Sequence, residues 1–145
     1  MVIFMNRRSW ALMWLLRVTG ISMLFALIFV AAPHSWMRDI HQWVELGEMP
    51  NTPVVWYLAR STSAFYAIVG GLFLLVSRDL KRHRPILMYL GWSVTFFGAV
   101  LLIIDVSEGM PSSWTLSEGP FSVALGLAML YLTRSVPTQP SSSEH

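Results

Sequence analysis

The 145-residue chain contains no cysteine. This absence excludes disulfide bonds, thiolate metal ligands and thiol redox chemistry. Charged residues are scarce as well, because they make up 12% of the chain against roughly 25% in an ordinary soluble domain. The net charge of +2 gives no reason to expect a nucleic-acid partner. With 54% hydrophobic residues gathered into long blocks, the composition indicates an integral membrane protein.

Histidine is missing from the apolar blocks, since His34, His41, His83 and His145 lie in connectors or in the tail. A haem held between membrane spans needs axial ligands at that depth, so the sequence predicts no haem and no other cofactor. The blocks also lack a recognisable nucleophile–base pair and a carboxylate near the middle of a span. These absences argue against an enzyme and against a proton-coupled exporter.

Four apolar blocks separated by short charged connectors predict an all-α integral membrane four-helix bundle. The bundle is expected to form a single membrane domain over residues 1–134, in which the fourth span is the shortest and weakest. The predicted spans cover residues of about 10–32, 54–76, 85–104 and 117–133. The Ser- and Pro-rich tail 135–145 has almost nothing to bury and is predicted to be disordered.

The first block allows a second interpretation, which is a cleaved secretory signal peptide. Arg7, Arg8 and Arg17 stand at the start of an apolar stretch that ends in Val-Ala-Ala before Pro33. The stretch is long for a signal peptide, and a proline directly after the cut disfavours cleavage. A retained span is therefore the leading interpretation, whereas cleavage would leave three spans.

The distribution of Lys and Arg predicts the orientation, because short basic loops stay on the cytoplasmic side. The basic residues at one end of the spans are Arg7, Arg8, Arg78, Lys81, Arg82, Arg84 and Arg134. The loops at the other end contain a single basic residue, Arg38. Both termini are thus expected in the cytoplasm of a bacterial cell, with the spans in its cytoplasmic (inner) membrane. Four of these residues, Arg78, Lys81, Arg82 and Arg84, are expected to contact anionic lipid headgroups.

The first loop carries an apolar face at helical spacing. The residues on that face are Trp36, Ile40, Trp43 and Val44. We expect a short amphipathic helix over about 35–46, capped by Ser35 and Gly47 and lying on the outer membrane surface.

The polar side of the same loop raises a metal hypothesis. His34, His41 and Glu45 fall at spacings of seven and four and can share one helix face. Two imidazoles and one carboxylate on an exposed helix, with no matching cluster nearby, are more often simply solvated. No metal is therefore expected.

Small residues recur at helical spacing in the second and third predicted spans, as in close-packed membrane helices. The candidate packing residues are Ala59, Ser63, Ala67 and Gly71 in the second span, and Gly91, Thr95 and Gly98 in the third. Because a short connector joins these spans, we expect them to pack as antiparallel neighbours.

Three ionisable residues lie at a common depth in the predicted bundle. Arg60, Asp105 and Glu118 are roughly 24–30 Å from the cytoplasmic ends of their spans, at about 1.5 Å per residue. We expect Arg60 to bond Asp105 or Glu118, because a guanidinium matches a carboxylate in two-point geometry. Such a cluster is either a structural clamp or a ligand or proton site, and the alternative for Arg60 is snorkelling to the interface. Gly119-Pro120 predicts an irregular helix start beside Glu118.

The leading functional hypothesis is a non-enzymatic accessory or partner-binding membrane protein. Its expected partners are the lipid bilayer and either another membrane protein or a second copy of the chain. The alternative is a small-molecule carrier or sensor whose polar site is formed by Arg60, Asp105 and Glu118 near the outer face.

Overall fold

A computed structural model of the chain describes residues 6–137. All regular secondary structure in this range is α-helical: α1 Arg7–Leu24, α2 Leu27–Ala31, α3 His34–Trp43, α4 Pro53–Val76, α5 Arg84–Ser107 and α6 Ser112–Thr133. Helices α1 and α2 together form one candidate membrane span, Arg7–Ala31. With α4, α5 and α6, the structure has four helical segments that are long and apolar enough to cross a membrane. The all-helical fold with four candidate spans is therefore confirmed. Residues 138–145, most of the tail predicted to be disordered, lie outside the described range.

Helix α5 ends in a Schellman motif at Gly109. This glycine has a φ of 67°, a backbone conformation that costs glycine little because it has no Cβ. The N–H of Met110 donates to the carbonyl of Asp105 at 2.9 Å, and the N–H of Gly109 donates to the carbonyl of Val106 at 3.4 Å. The chain then turns sharply into α6, so α5 and α6 form an antiparallel hairpin.

Helix α6 begins at Ser112, several residues before the predicted start of the fourth span. Glu118 therefore lies more than one turn inside the helix, and the predicted irregular start beside it is wrong. Pro120 is accommodated within α6, where it removes one backbone donor without ending the helix. The neighbouring Gly119 packs closely on α5, where an added Cβ would lie 3.0 Å from the Cβ of Leu102. Close packing thus holds this segment helical.

The helix in the first loop, α3, is shorter than its predicted extent. No side-chain bond caps its start after Pro33, and it ends through Glu45, which has a φ of 63°. The N–H of Leu46 donates to the carbonyl of His41 at 3.1 Å, which closes the last turn. Ser35 and Gly47, which are predicted as the caps, are therefore not the residues that cap this helix.

The described helices pair as two hairpins. In residues 6–137, α4 packs along α1 and α2, α5 packs along α6, and α1 also contacts α6. No contact of comparable extent joins α4 to α5 in this range. The expectation that the second and third spans are packed neighbours is therefore wrong, because the close contact of α4 is made with α1 and the glycines of α5 pack on α6.

Helices α1 and α4 meet backbone to backbone at Gly20 and Gly70. A Cβ added to Gly20 would lie 2.8 Å from the carbonyl oxygen of Gly70, and one added to Gly70 would lie 2.7 Å from that of Gly20. Gly71, a member of the predicted packing stripe, has nothing within 4 Å of its Cβ position. The close contact of α4 is thus made by Gly70, one residue before the Gly71 of the predicted stripe, and its partner is α1.

Helices α5 and α6 also approach each other through glycine. A Cβ added to Gly98 would lie 2.6 Å from the backbone nitrogen of Val123 and 2.8 Å from the carbonyl oxygen of Gly119. Gly126 packs against Thr95 and against the carbonyl oxygen of Gly91. Gly91, Thr95 and Gly98 therefore lie in a packing interface, as their spacing indicates, but their partner is α6.

The main apolar cluster lies at the end of the bundle that holds the connector 78–84, which we name the basic end. Its buried members are Leu12, Leu16, Phe73, Val76, Leu80, Leu87, Leu90, Met129 and Val136. All four candidate spans contribute to it. Val136 belongs to the segment predicted to be a disordered tail, and Ser135 Oγ lies 3.3 Å from Arg8 Nη1 as a hydrogen-bond partner. The packed domain therefore extends at least to Val136.

The adjacent glycines of α4 provide a matched test of the helix pairing. We expect Gly70→Ala to lower the free energy of unfolding by about 1–3 kcal/mol, because the new methyl group would overlap the backbone of α1. Gly71→Ala meets open space and should leave stability unchanged or raise it by up to about 1 kcal/mol, since alanine favours the helix. Thermal unfolding of both variants in a mild detergent checks this, and equal losses would contradict the α1–α4 contact.

Candidate functional site

Arg60 lies near the distal end of the bundle, by which we mean the end formed by α3 and the α5–α6 turn. Its Nη2 donates to the carbonyl oxygen of Ala32 at 3.3 Å. Ala32 follows the last residue of α2, where carbonyl groups have no helical partner and the helix end is electrically negative. A guanidinium is a favourable partner at such an end. Arg60 therefore ties the end of the first span to α4.

The predicted bond between Arg60 and either carboxylate is not formed. Among residues 6–137, the side-chain hydrogen bond of Arg60 goes to the backbone of Ala32, and its Nε is buried without a partner. Asp105 Oδ2 is likewise buried without a partner. The physical reason is the helix pairing, which places Arg60 beside α2 and Asp105 in the α5–α6 hairpin. Whether these residues form a clamp or a ligand site stays a prediction.

An aromatic stack joins α3 to α4. The rings of His34 and Trp56 are parallel within 8°, and their centroids lie 4.0 Å apart. Trp56 Nε1–H donates to Asn51 Oδ1 at 3.0 Å, so the buried indole has its polar group satisfied. Met37 is buried against the same ring, together with Ala32. The sequence does not lead to a prediction of this junction. Trp56, in the first turn of α4 and one turn before Arg60, is the residue that could have indicated it.

The predicted apolar face of α3 remains exposed. Trp36, Ile40 and Trp43 are exposed, with 83% of the surface of Trp43 accessible, whereas Val44 is half-buried. Met37, which is not on that predicted face, makes the buried contact with α4 instead. Among residues 6–137, three large apolar side chains of α3 are therefore left partly or largely exposed.

A cleft opens beside Arg60. It has a volume of about 640 Å³ and is lined by the end of α2, the start of α3 and one side of α4. Its polar groups include His34, Arg60 and Ser61, and Tyr57 forms part of its wall. The cleft is wide and mostly apolar, which suits lipid chains as well as a smaller ligand.

The histidines of the first loop are engaged in other contacts. The ring of His41 hydrogen-bonds the carbonyl oxygen of Gly47 through Nδ1 at 3.0 Å, while His34 stacks on Trp56. In the part of the chain that the structure describes, no three His, Asp or Glu side chains converge as metal ligands. His34, His41 and Glu45 are thus not brought together.

Asp105 is the most deeply buried acid of the predicted cluster, with 4% of its surface accessible. It lies in the last turn of α5 and lines a cavity of about 320 Å³ at the α5–α6 turn. Ser112 and Thr115, which both carry a hydroxyl group, line the same cavity. Asp105 therefore forms part of the lining of a small, open cavity at this turn.

Glu118, the third residue of the predicted cluster, lies on α6 in the same hairpin as Asp105. Its half-buried carboxylate is within electrostatic range of Asp105 on α5 and of Tyr66 on α4. Glu118 on α6 and Asp105 on α5 thus belong to the same hairpin, whereas Arg60 is held at the end of α2.

The basic connector is compact. The Asp79 carboxylate accepts the backbone N–H of Arg82 at 3.0 Å, and Leu80 is buried in the main apolar cluster. Its exposed cations are Arg78, Lys81 and Arg82, whereas Arg84 is half-buried. The predicted headgroup contacts of these residues stay a prediction, to which their exposure at the basic end lends support.

Comparisons of the chain with models of protein families, with curated proteins and with solved structures find no match. Functional inference therefore depends on the residues and their geometry.

Arg60→Ala tests the bond to Ala32. We expect the free energy of unfolding to fall by about 1–2 kcal/mol, because a half-buried, charge-assisted hydrogen bond is lost at a helix end. Arg38→Ala, which removes an exposed arginine from α3, is the matched control and should change stability by less than about 0.5 kcal/mol. Thermal unfolding in detergent gives both values. Equal effects would show that the arginine charge, and not this bond, determines the loss.

Proposed function

We propose that the chain is a multi-pass protein of the bacterial cytoplasmic membrane that binds a partner membrane protein and has no catalytic role. Its basic residues collect at one end, which favours cytoplasmic termini and a cytoplasmic connector 78–84. In this orientation α3 lies at the outer interface, where its exposed Trp36 and Trp43 side chains reach the headgroup region. The four apolar helices suit a lipid environment.

The observation that carries the proposal is the unpacked side of α4. Helix α4 meets α1 and α2 on one side, while Phe65, Ile68 and Leu75 are exposed on another. Gly71 lies on this exposed side with open space beyond it. Membrane helices associate where small residues let backbones approach, so this side can accept a helix as well as lipid. We take the occupant to be a helix of another membrane protein, with a second copy of this chain as the alternative.

A bulky residue at Gly71 tests the proposal. Native mass spectrometry of the gently extracted wild type should show a protein partner at fixed stoichiometry, whose mass tells a second copy from another chain. Gly71→Leu should abolish that complex without lowering thermal stability, because its side chain enters open space and not the bundle. Ala99→Leu, on an exposed part of α5, is the matched control and should retain the complex. A wild type that carries lipid alone would contradict the proposal.

The orientation has its own test. Reporters fused after Gly47 and Gly109 should give an extracytoplasmic signal, and one fused after Lys81 should give a cytoplasmic signal, because basic loops are retained inside. A cytoplasmic signal at Gly47 would overturn the orientation and leave the helix pairing untouched.

A second candidate function is a small-molecule carrier or sensor near the outer face. The specific observation in its favour is Asp105, a residue that lines the cavity at the α5–α6 turn and whose Oδ2 is buried without a hydrogen-bond partner among residues 6–137. Glu118 contributes charge nearby, and Arg60 belongs to a separate cleft. A small molecule retained by the extracted wild type at fixed stoichiometry, and lost in a variant of one of these residues, would support this function.

A further inference from the structure

Arg60 brings a positive charge to the cleft beside it, and no acidic residue of that cleft balances the charge. Within residues 6–137, the lining of the cleft contains no aspartate and no glutamate. The hydrogen bond from Nη2 goes to the carbonyl oxygen of Ala32, which offers a partial and not a full negative charge. Because a guanidinium stays protonated in proteins, the charge cannot be removed by loss of a proton. An anion from outside the chain would balance it.

The guanidinium of Arg60 has donors left for such an anion. Nη2 carries a second N–H beside the one that bonds Ala32. Nη1 has no hydrogen-bond partner within residues 6–137, and it is not a buried atom as the neighbouring Nε is. His34, which lines the same cleft and stacks on Trp56, has a ring N–H that can also donate. Donors of this kind suit a phosphate group, whose oxygens match a guanidinium in two-point geometry.

The walls and the depth of the cleft favour an anion that carries an apolar chain. Val30 and Ala64 contribute aliphatic side chains to the lining, and Tyr57 contributes an aromatic ring. Arg60 lies roughly 26 Å from Ser77, the C-cap residue of α4, at about 1.5 Å per residue. Since a hydrocarbon core is about 30 Å thick, this position is near the distal boundary of the core, where a long arginine side chain reaches the headgroups.

We propose that the cleft binds one anionic phospholipid through its phosphodiester group, with Arg60 as the counter-ion and the apolar walls in contact with an acyl chain. Charge complementarity identifies the lipid class. Phosphatidylglycerol has a negative phosphodiester and no ammonium group, so it balances the arginine. A zwitterionic lipid such as phosphatidylcholine would bring a second cation to a cleft without an acid. The inference goes beyond the proposed function, because it concerns a lipid at Arg60 and not a helix at Gly71.

The first measurement uses the wild-type chain in an uncharged maltoside detergent. Phosphatidylglycerol with short acyl chains should raise the thermal unfolding temperature with increasing concentration, because a ligand of the folded state stabilises it. Phosphatidylcholine of the same chain length is the control and should raise the temperature less. The cations of the basic end also attract anionic lipid, so variants are needed to assign the effect to the cleft.

Three variants locate the lipid. Arg60→Gln removes the charge and should weaken phosphatidylglycerol binding by at least about tenfold, which native mass spectrometry records as one lipid fewer retained. Arg38→Gln removes an exposed arginine from α3 and should retain as many lipids as the wild type does. Ala64→Leu fills part of the cleft without changing charge and should lose the same lipid. The last variant keeps the test decisive where Arg60→Gln does not fold.

Three outcomes would overturn the inference. One is equal stabilisation of the wild type by phosphatidylglycerol and by phosphatidylcholine. Another is lipid retention that is unchanged in both Arg60→Gln and Ala64→Leu, which would leave the basic end as the place of binding. The third is an equal loss in Arg38→Gln. Gly71→Leu separates this inference from the proposed function, because it should lose the partner helix and keep the lipid.

Discussion

The close approach of helix backbones at glycine is the constraint on which the rest of the structure depends. Gly20 and Gly70 bring α1 onto α4, and Gly98, Gly119 and Gly126 bring α5 onto α6. In a lipid environment, apolar side chains gain little by leaving lipid for protein, so such contacts determine which helices pair. Once the two pairs exist, the distal charges are divided between them, and within residues 6–137 the apolar cluster at the basic end draws on all four spans.

The fold class could be predicted from the sequence because hydropathy and length depend on composition alone. The four candidate spans begin and end close to the predicted positions, apart from α6, which extends back to Ser112 through Thr115 and Ser117. Polar residues at a helix start weaken the hydropathy signal without opposing the helix. Hydropathy therefore underestimates the length of a span whose first turns are polar.

Helix pairing could not be predicted in the same way. Gly70 and Gly71 are adjacent in sequence but about 100° apart around the helix axis, so each belongs to a different face. Spacing identifies small-residue stripes without saying which helix they meet, so it predicts α5 as the partner of the stripe through Gly71, although Gly71 meets open space. The expected pairing of α4 with α5 also underlies the predicted bond between Arg60 and a carboxylate, which is not formed. Depth along a span follows from residue count, whereas the lateral distance between Arg60 and Asp105 follows from the pairing.

The burial of Val136 has a consequence for how the chain assembles during synthesis. Each hairpin contains its own glycine contact and can form as soon as its second helix has entered the membrane. The cluster at the basic end, in contrast, needs Leu12 and Leu16 from the first helix and Met129 and Val136 from the last. Completion of the cluster therefore requires the last turn of α6 and Val136, which are made after the helices of the first hairpin.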